Sequence, residues 1–220
     1  MPLEHIGIIP DGNGRWAEKR GKSHAEGHQA GAETMLRIIQ ALSKLEIQRV
    51  TLYTFSTENW GRPAEEIEAL LGVLLFAARK YFKDLMSDGI RVVHLGSRSK
   101  LSREVLDLVD EIGDMTARNR GLTVSVALDY GGRQEIVQAV RSIVRLGLAP
   151  GNVTQELIAA HLYLPDVRDP ELIIRTGGEQ RLSNFLLWQS ARSWFHVSNT
   201  LWPDFDEFEL ERIVERYQDA

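Results

Sequence analysis

The sequence has no cysteine among its 220 residues, which excludes disulfides, thiolate metal sites and a cysteine nucleophile. It has no apolar run long enough to span a bilayer. Its first residues, Met1-Pro2-Leu3-Glu4-His5, lack the basic and apolar blocks of a signal peptide. There is no basic surplus either. The net charge of -5 argues against a broad footprint for nucleic acid, so no nucleic-acid partner is expected. An acidic chain can still carry a local arginine cluster that takes an anionic ligand. Internal repeats, low-complexity tracts and Pro/Gly/Ser-rich linkers are absent too. The expectation is one cytoplasmic domain over 1–220, with enough hydrophobic content (43%) for a substantial core.

Short apolar, β-branched runs alternate with longer helical patterns. Strands are predicted at Ile6 to Ile9, Val50 to Phe55, Ile90 to Leu95, Leu122 to Leu128, Leu172 to Ile174 and Phe195 to Val197. Helices are predicted at Gly27 to Leu45, Ala64 to Leu85, Ser102 to Arg118, Arg133 to Leu146, Thr154 to Leu162, Ser183 to Ala191 and Asp206 to Tyr217. This alternation points to an α/β fold with a mainly parallel sheet covered on both faces. Ligands in such sheets bind beyond the carboxyl ends of the strands, so the loops that follow the strands carry the functional signal.

The first such loop reads Pro10-Asp11-Gly12-Asn13-Gly14-Arg15-Trp16-Ala17. Two glycines allow a tight turn that presents N–H groups to an anion, and Arg15 adds a charge-assisted donor. Asp11 would repel that anion unless a cation bridged them, which suggests Mg²⁺. The spacing of Gly12, Gly14 and Ala17 also fits a dinucleotide turn, and a dehydrogenase is one alternative. That motif wants an acidic residue at the end of a second strand, about 20 residues on, and none is there. A tight turn with an incidental aspartate is the bland alternative.

The second loop, Ser56-Thr57-Glu58-Asn59-Trp60-Gly61-Arg62-Pro63, is denser in polar side chains than a connector needs. It also reads as a capped helix start with Trp60 packed on the core. The third, Arg175-Thr176-Gly177-Gly178-Glu179-Gln180-Arg181-Leu182-Ser183-Asn184-Phe185, joins a glycine turn to two arginines and a hydroxyl. That combination suits a diphosphate, although arginines flanking a turn are common on surfaces. Two anion sites around one aspartate fit transfer between two phosphorylated substrates. No P-loop motif is present.

These three loops, with Gly27-His28-x-x-Gly31, Tyr130-Gly131-Gly132-Arg133, Arg175 to Trp188 and Leu201-Trp202-Pro203-Asp204-Phe205, resemble the cis-prenyltransferases, the undecaprenyl diphosphate synthase family. The matching strings occur in order over nearly the whole chain. The resemblance implies about six parallel strands flanked by helices, a homodimer, and condensation of isopentenyl diphosphate onto an allylic prenyl diphosphate with Mg²⁺. By position it implies that Asp11 binds the metal and helps the allylic diphosphate leave. Gly12, Asn13, Gly14, Arg15, Trp16, His24 and His28 would hold that diphosphate. Asn59 would assist proton removal, with Ser56, Thr57, Glu58, Trp60 and Arg62 lining the site. Arg175, Arg181, Leu182 and Ser183 would bind isopentenyl diphosphate. Thr54 and Leu122 would lie near the product tunnel, and peripheral membrane contact would serve release of an apolar product.

The helix over Ala64 to Leu85 offers Ile67, Leu70, Leu71, Leu74, Leu75 and Ala78 as a tunnel wall, but from pattern alone an ordinary face packed on the sheet is the expectation. Three positions depart from the family pattern. His24 replaces an arginine, which predicts a weaker or pH-dependent grip on diphosphate. Asp129 replaces an asparagine. Trp194 stands where a metal-binding glutamate is common, and an indole cannot ligate Mg²⁺. Irregular head-to-middle coupling of allylic diphosphates, of the lavandulyl type, is therefore an alternative within the family, and a non-catalytic partner subunit is another.

Overall fold

The computed structural model describes residues 3–165 and 167–219. Six strands form one sheet: β1 (His5–Ile9), β2 (Arg49–Ser56), β3 (Arg91–Leu95), β4 (Thr123–Tyr130), β5 (Leu172–Arg175) and β6 (Trp194–Val197). Every pairing is parallel, in the order β3-β4-β2-β1-β5-β6. Seven α-helices surround it: α1 (Asn13–Glu18), α2 (His24–Lys44), α3 (Ala64–Ser87), α4 (Arg103–Thr116), α5 (Gly132–Val144), α6 (Gln155–Ala159) and α7 (Glu207–Gln218). β1 is buried along its whole length, as a central strand covered on both faces must be.

The topology fixes where a ligand can sit. From β1 the chain runs first to β2 on one side, and only later returns to β5 on the other. β1 is therefore the point where strand order reverses, and a crevice opens there beyond the carboxyl ends of β1 and β5.

Local signals explain most boundaries. Ser23 caps α2 and Glu26 bonds back to its N–H, a reciprocal pair that starts the helix three residues before the predicted Gly27. Pro63 caps α3. The predicted helix over Ser183 to Ala191 is a correction. Ser183, Asn184 and Leu186 take left-handed backbone angles (φ 49°, 65° and 43°), so only turns and a 3₁₀ turn at Gln189–Arg192 form. α1 was not expected, because its sequence reads as a glycine turn; Gly12 (φ 114°) supplies that turn and the helix begins directly after it.

One core cluster packs Ile6, Ile8, Leu52 and Leu172 of the sheet against Ile38 and Leu42 of α2 and against Trp202, Phe205 and Leu210. A second gathers Ile9, Ile173, Tyr130 and Phe185 on the other side. α3 behaves differently: none of its 24 residues is buried, although its sequence is rich in leucine. Its apolar side faces a cavity.

Candidate active site

Asp11 follows β1 directly and is held from two sides of the crevice. Its N–H donates to Thr176 Oγ1 (2.9 Å), and that hydroxyl donates back to the Asp11 carbonyl (2.8 Å). The Trp202 N–H also donates to this carbonyl (3.0 Å). The carboxylate is thereby fixed in the crevice. Arg175 Nη2 donates to Oδ2 (2.8 Å) and Arg15 Nη2 to Oδ1 (3.2 Å).

Arg175 ties the two halves of the site together. It lies at the end of β5, only 4% exposed, and its Nη1 donates to Ser183 Oγ (2.6 Å) and to the Arg181 carbonyl. Arg15 Nη1 donates to the Gly177 carbonyl (2.7 Å). Gly177 takes φ 81°, and a Cβ there would lie 2.5 Å from Arg15 Nη2 and 2.9 Å from the Asp11 carbonyl oxygen. Only glycine permits this approach.

Asn13 and His28 extend the cradle on the other flank. Asn13 Nδ2 donates to His28 Nδ1 (3.3 Å). Burial, with Arg62 and His24 nearby, holds the His28 pKa below its ordinary value. The ring is then neutral, with Nδ1 as acceptor, and the other ring nitrogen carries the N–H. Gly31 makes room for Asn13: a Cβ there would meet Asn13 Oδ1 at 2.4 Å. That oxygen is buried, with no hydrogen-bond partner among the described residues.

From this cradle a cavity of about 710 Å³ runs between the sheet and helices α2, α3 and α4. Asp11, Arg15, Arg62, Arg175 and Arg181 line its mouth, and leucine, valine and isoleucine line its depth. A charged mouth on an apolar channel suits an amphiphile with an anionic head.

Residues 9–220 match the family model of the undecaprenyl diphosphate synthases, a prenyltransferase family. The chain belongs to that family. An isoprenyl transferase of Neisseria gonorrhoeae is 43% identical over 214 residues, covering 97% of this chain and 86% of the relative. One from Streptococcus thermophilus is 44% identical over 221 residues, covering 97% and 89%. The crystal structure of lavandulyl diphosphate synthase from Lavandula x intermedia, in complex with dimethylallyl diphosphate, matches with a TM-score of 0.94 at 33% identity, over 99% of this chain and 96% of that one. A probable undecaprenyl diphosphate synthase from Campylobacter jejuni matches with a TM-score of 0.85 at 28% identity, over 100% and 97%. The chain is a prenyltransferase, and its all-parallel sheet is that of its structural neighbours.

In this prenyltransferase the cavity gathers Asp11, Gly12, Asn13, Gly14, Arg15, His24, His28, Ser56, Asn59, Arg62, Arg175 and Arg181 of the expected site. Six expected residues lie outside its lining. Trp16 turns away, its Nε1–H donating to Asp204 Oδ1 (2.6 Å) with Arg20 over the ring at 4.5 Å. Trp60 packs edge-on against Phe55 and donates to Asp129 Oδ1 (2.6 Å). Thr57 and Glu58 sit on the 3₁₀ turn Thr57–Gly61, where Glu58 Oε1 accepts from Asn184 Nδ2 (2.7 Å). Leu182 packs against the second core cluster. Ser183 reaches the site only through Arg175.

The departures from the family pattern gain physical content. His24 Nε2 pairs with Glu18 Oε1 (3.1 Å) at the cavity mouth. Asp129 takes φ 51°, a backbone that asparagine and aspartate both tolerate. Trp194 pairs in register with Leu172, at the opposite end of the strands from Arg175, and its indole packs on Tyr217. Within one chain that position lies at the wrong end of the sheet to meet Asp11.

Leu70, Leu71, Leu74, Leu75 and Ala78 of α3 line the cavity, and Ile67 does not; the expected packing holds in part, because Ile67 and the four leucines also pack against Phe55, Leu101, Val105 and Leu128. Thr54 lines it as well, but Leu122 is a core residue. Sequence reasoning missed Thr176, which fixes Asp11, and Gly31, which seats Asn13. Each lies inside a motif, but its role depends on a partner distant in sequence. It also missed His94 in the cavity wall.

Asp11 lies at the end of β1 in the crevice, and among the described residues no cluster of three or more His, Cys, Asp or Glu could hold a metal. Mg²⁺ keeps few protein ligands where substrate phosphates supply the rest. A single carboxylate edging a cationic, phosphate-sized crevice fits that pattern.

Proposed function

We propose that this prenyltransferase condenses an allylic prenyl diphosphate with isopentenyl diphosphate. The observation that carries the reading is the Arg175 guanidinium, which bridges Asp11 on one side and Ser183 with the Arg181 carbonyl on the other. One buried cation thus links two anion-binding loops, as a reaction between two diphosphates requires.

The allylic diphosphate would sit on Gly12 to Arg15 with Asn13 and His28, its chain in the apolar cavity. Isopentenyl diphosphate would sit on Arg181 and Ser183. As the allylic C–O bond breaks, negative charge grows on the departing diphosphate. Arg15 and Arg175 are fixed beforehand where that charge develops, so they stabilise it without reorganisation. Mg²⁺ held by Asp11 and the phosphates would add Lewis-acid stabilisation of the same charge. The allylic cation is attacked by the isopentenyl double bond, forming the new C–C bond, and loss of a proton then restores neutrality. Asn59 Oδ1 already accepts from the Ser56 N–H (2.7 Å). Its Nδ2 remains to donate to a diphosphate oxygen, which would take the proton. The leucine-rich face of α3 keeps water from the cation.

A homodimer accords with two exposed apolar features of the single chain. Trp194 and Phe195 are exposed on the edge strand β6, and Val137, Val140 and Val144 are exposed on α5. No helix of the described residues is long and apolar enough to cross a membrane. We read the enzyme as cytoplasmic, with peripheral membrane contact for product release.

The TM-score of 0.94 to lavandulyl diphosphate synthase favours a second reading, the coupling of two allylic diphosphates. One experiment separates them. Dimethylallyl, geranyl or farnesyl diphosphate is incubated with Mg²⁺, with and without isopentenyl diphosphate, and products are identified by mass spectrometry. Our reading expects products only with isopentenyl diphosphate. A product from dimethylallyl diphosphate alone would support irregular coupling, and no turnover under any condition would contradict both.

A further inference from the structure

Much of the sheet wall of the cavity comes from alternate residues of β2, β4 and β3. Leu52 and Thr54 of β2, Val124 and Val126 of β4, and Val92 and His94 of β3 all line it, as the alternation of side chains along a strand demands. Two of these are polar. The Thr54 hydroxyl is spent on the Ala127 carbonyl (2.8 Å). His94 is not fully spent. Its Nε2–H donates to the Leu128 carbonyl (2.9 Å), and no hydrogen bond from Nδ1 forms among the described residues. Burial keeps the ring neutral, its pKa below the ordinary histidine value. With the proton on Nε2, Nδ1 is an acceptor lone pair whose neighbours along the wall, Val92, Val124 and Val126, are apolar.

We propose that His94 is a specificity-determining residue that marks where the tail of the growing prenyl chain ends. A hydrocarbon gains by covering valine and leucine, but covering an unpaired acceptor removes its water without replacing the hydrogen bond. Elongation is favourable up to His94 and unfavourable past it.

Strand register gives the distance. His94 pairs with Val126, Val126 is partnered by Leu52, and Leu52 by Ile8. His94 therefore lies three strands across from β1 and three residues below Asp11. With strands about 4.8 Å apart and residues about 3.3 Å along, the diagonal is roughly 17 Å. An extended chain covers about 1.2 Å per bond, so a four-bond isoprene unit spans roughly 5 Å. The tail meets His94 after about three to four units, which gives a product of about 15 to 20 carbons by the same count.

This inference rests on the prenyl-transfer reading above, and the test keeps the two separate. Wild type, His94→Val and His94→Gln are supplied with dimethylallyl diphosphate, excess isopentenyl diphosphate and Mg²⁺, and chain lengths are read by mass spectrometry. Wild type and His94→Gln should stop at the same short length, and His94→Val should shift the main product by at least one isoprene unit. Identical distributions for wild type and His94→Val would overturn the role of His94, as would a wild-type product extending well past it. Failure of wild type to consume any allylic diphosphate would overturn the prenyl-transfer reading itself. A second measurement uses only the native protein: inhibition by unreactive thiolo-diphosphates of increasing length. Inhibition should strengthen up to the length that reaches His94 and weaken beyond it. A steady gain with length would count against the proposal even if a variant failed to fold.

Discussion

Replacing Arg175 by methionine removes the guanidinium that joins the Asp11 carboxylate to Ser183 and the Arg181 carbonyl while keeping most of its apolar stem. Three charge-assisted hydrogen bonds are lost, to Asp11 Oδ2, Ser183 Oγ and the Arg181 carbonyl. Hydrogen bonds to charged groups contribute about 1.5–3 kcal/mol each where buried. The Asp11 side chain is 30% exposed, so water can replace part of what it loses. A net destabilisation of about 2–3 kcal/mol follows, lowering the melting temperature by roughly 4–12 °C for a chain of this size. The effect on chemistry should be larger, because Arg175 donates where charge develops. Loss of one such donor costs about 10²–10³ in kcat. The assay is pyrophosphate release at saturating allylic and isopentenyl diphosphates, alongside a thermal melt. A variant within a few-fold of wild-type kcat, whatever its melting temperature, would refute the bridging role assigned to Arg175.

Gly31→Ala sits inside α2, where helix propensity alone favours alanine by about 1 kcal/mol. The collision with Asn13 Oδ1 at 2.4 Å predicts the opposite sign, a loss of about 1–3 kcal/mol and a raised KM for the allylic substrate; a stabilised, fully active variant would contradict this. His5 is buried between the Arg168 carbonyl and Thr51 Oγ1, and burial lowers its pKa to about 4. The unfolded chain takes up this proton near pH 6.5 and the folded chain only near pH 4. Stability from His5 is therefore complete above about pH 6.5 and declines by up to about 1.4 kcal/mol per pH unit on acidification to pH 4. Other half-buried histidines act in the same direction, so urea titrations should compare wild type with His5→Gln, which ought to have the shallower slope; equal slopes would exclude His5 as the source. Phe195→Lys places a charge on the exposed edge of β6. Sedimentation should show a dimeric wild type and a monomeric variant, and a monomeric wild type would remove the dimer from the account.

Much of the fold is legible because parallel strands buried on both faces read as unbroken apolar runs, as Ile6 to Ile9 and Leu172 to Ile174 do. The cradle is legible for a related reason: glycine, aspartate and arginine come together directly after the apolar runs of β1 and β5. The illegible parts depend on backbone geometry or on distant partners. Ser183 to Leu186 look helical but are pinned in left-handed turns, where the Tyr53 hydroxyl donates to the Ser183 carbonyl (3.2 Å) and Asn184 reaches Glu58. Trp16 and Trp60 carry indoles that could face a ligand, and nothing in their own spacing reveals that Asp204 and Asp129 claim them. The apolar stripe of α3 is the same pattern whether it meets a core or a channel, and only the separation of α3 from the sheet decides.

The central claim is that Asp11 and the guanidiniums around it expel diphosphate from an allylic substrate. Asp11→Asn keeps the size of the side chain and removes its charge, so its pyrophosphate release tests that claim most directly. With Mg²⁺ and both substrates saturating, the variant should fall about 10²–10³-fold in kcat while still binding the allylic diphosphate through Arg15, Asn13 and His28. Activity equal to wild type would contradict the account.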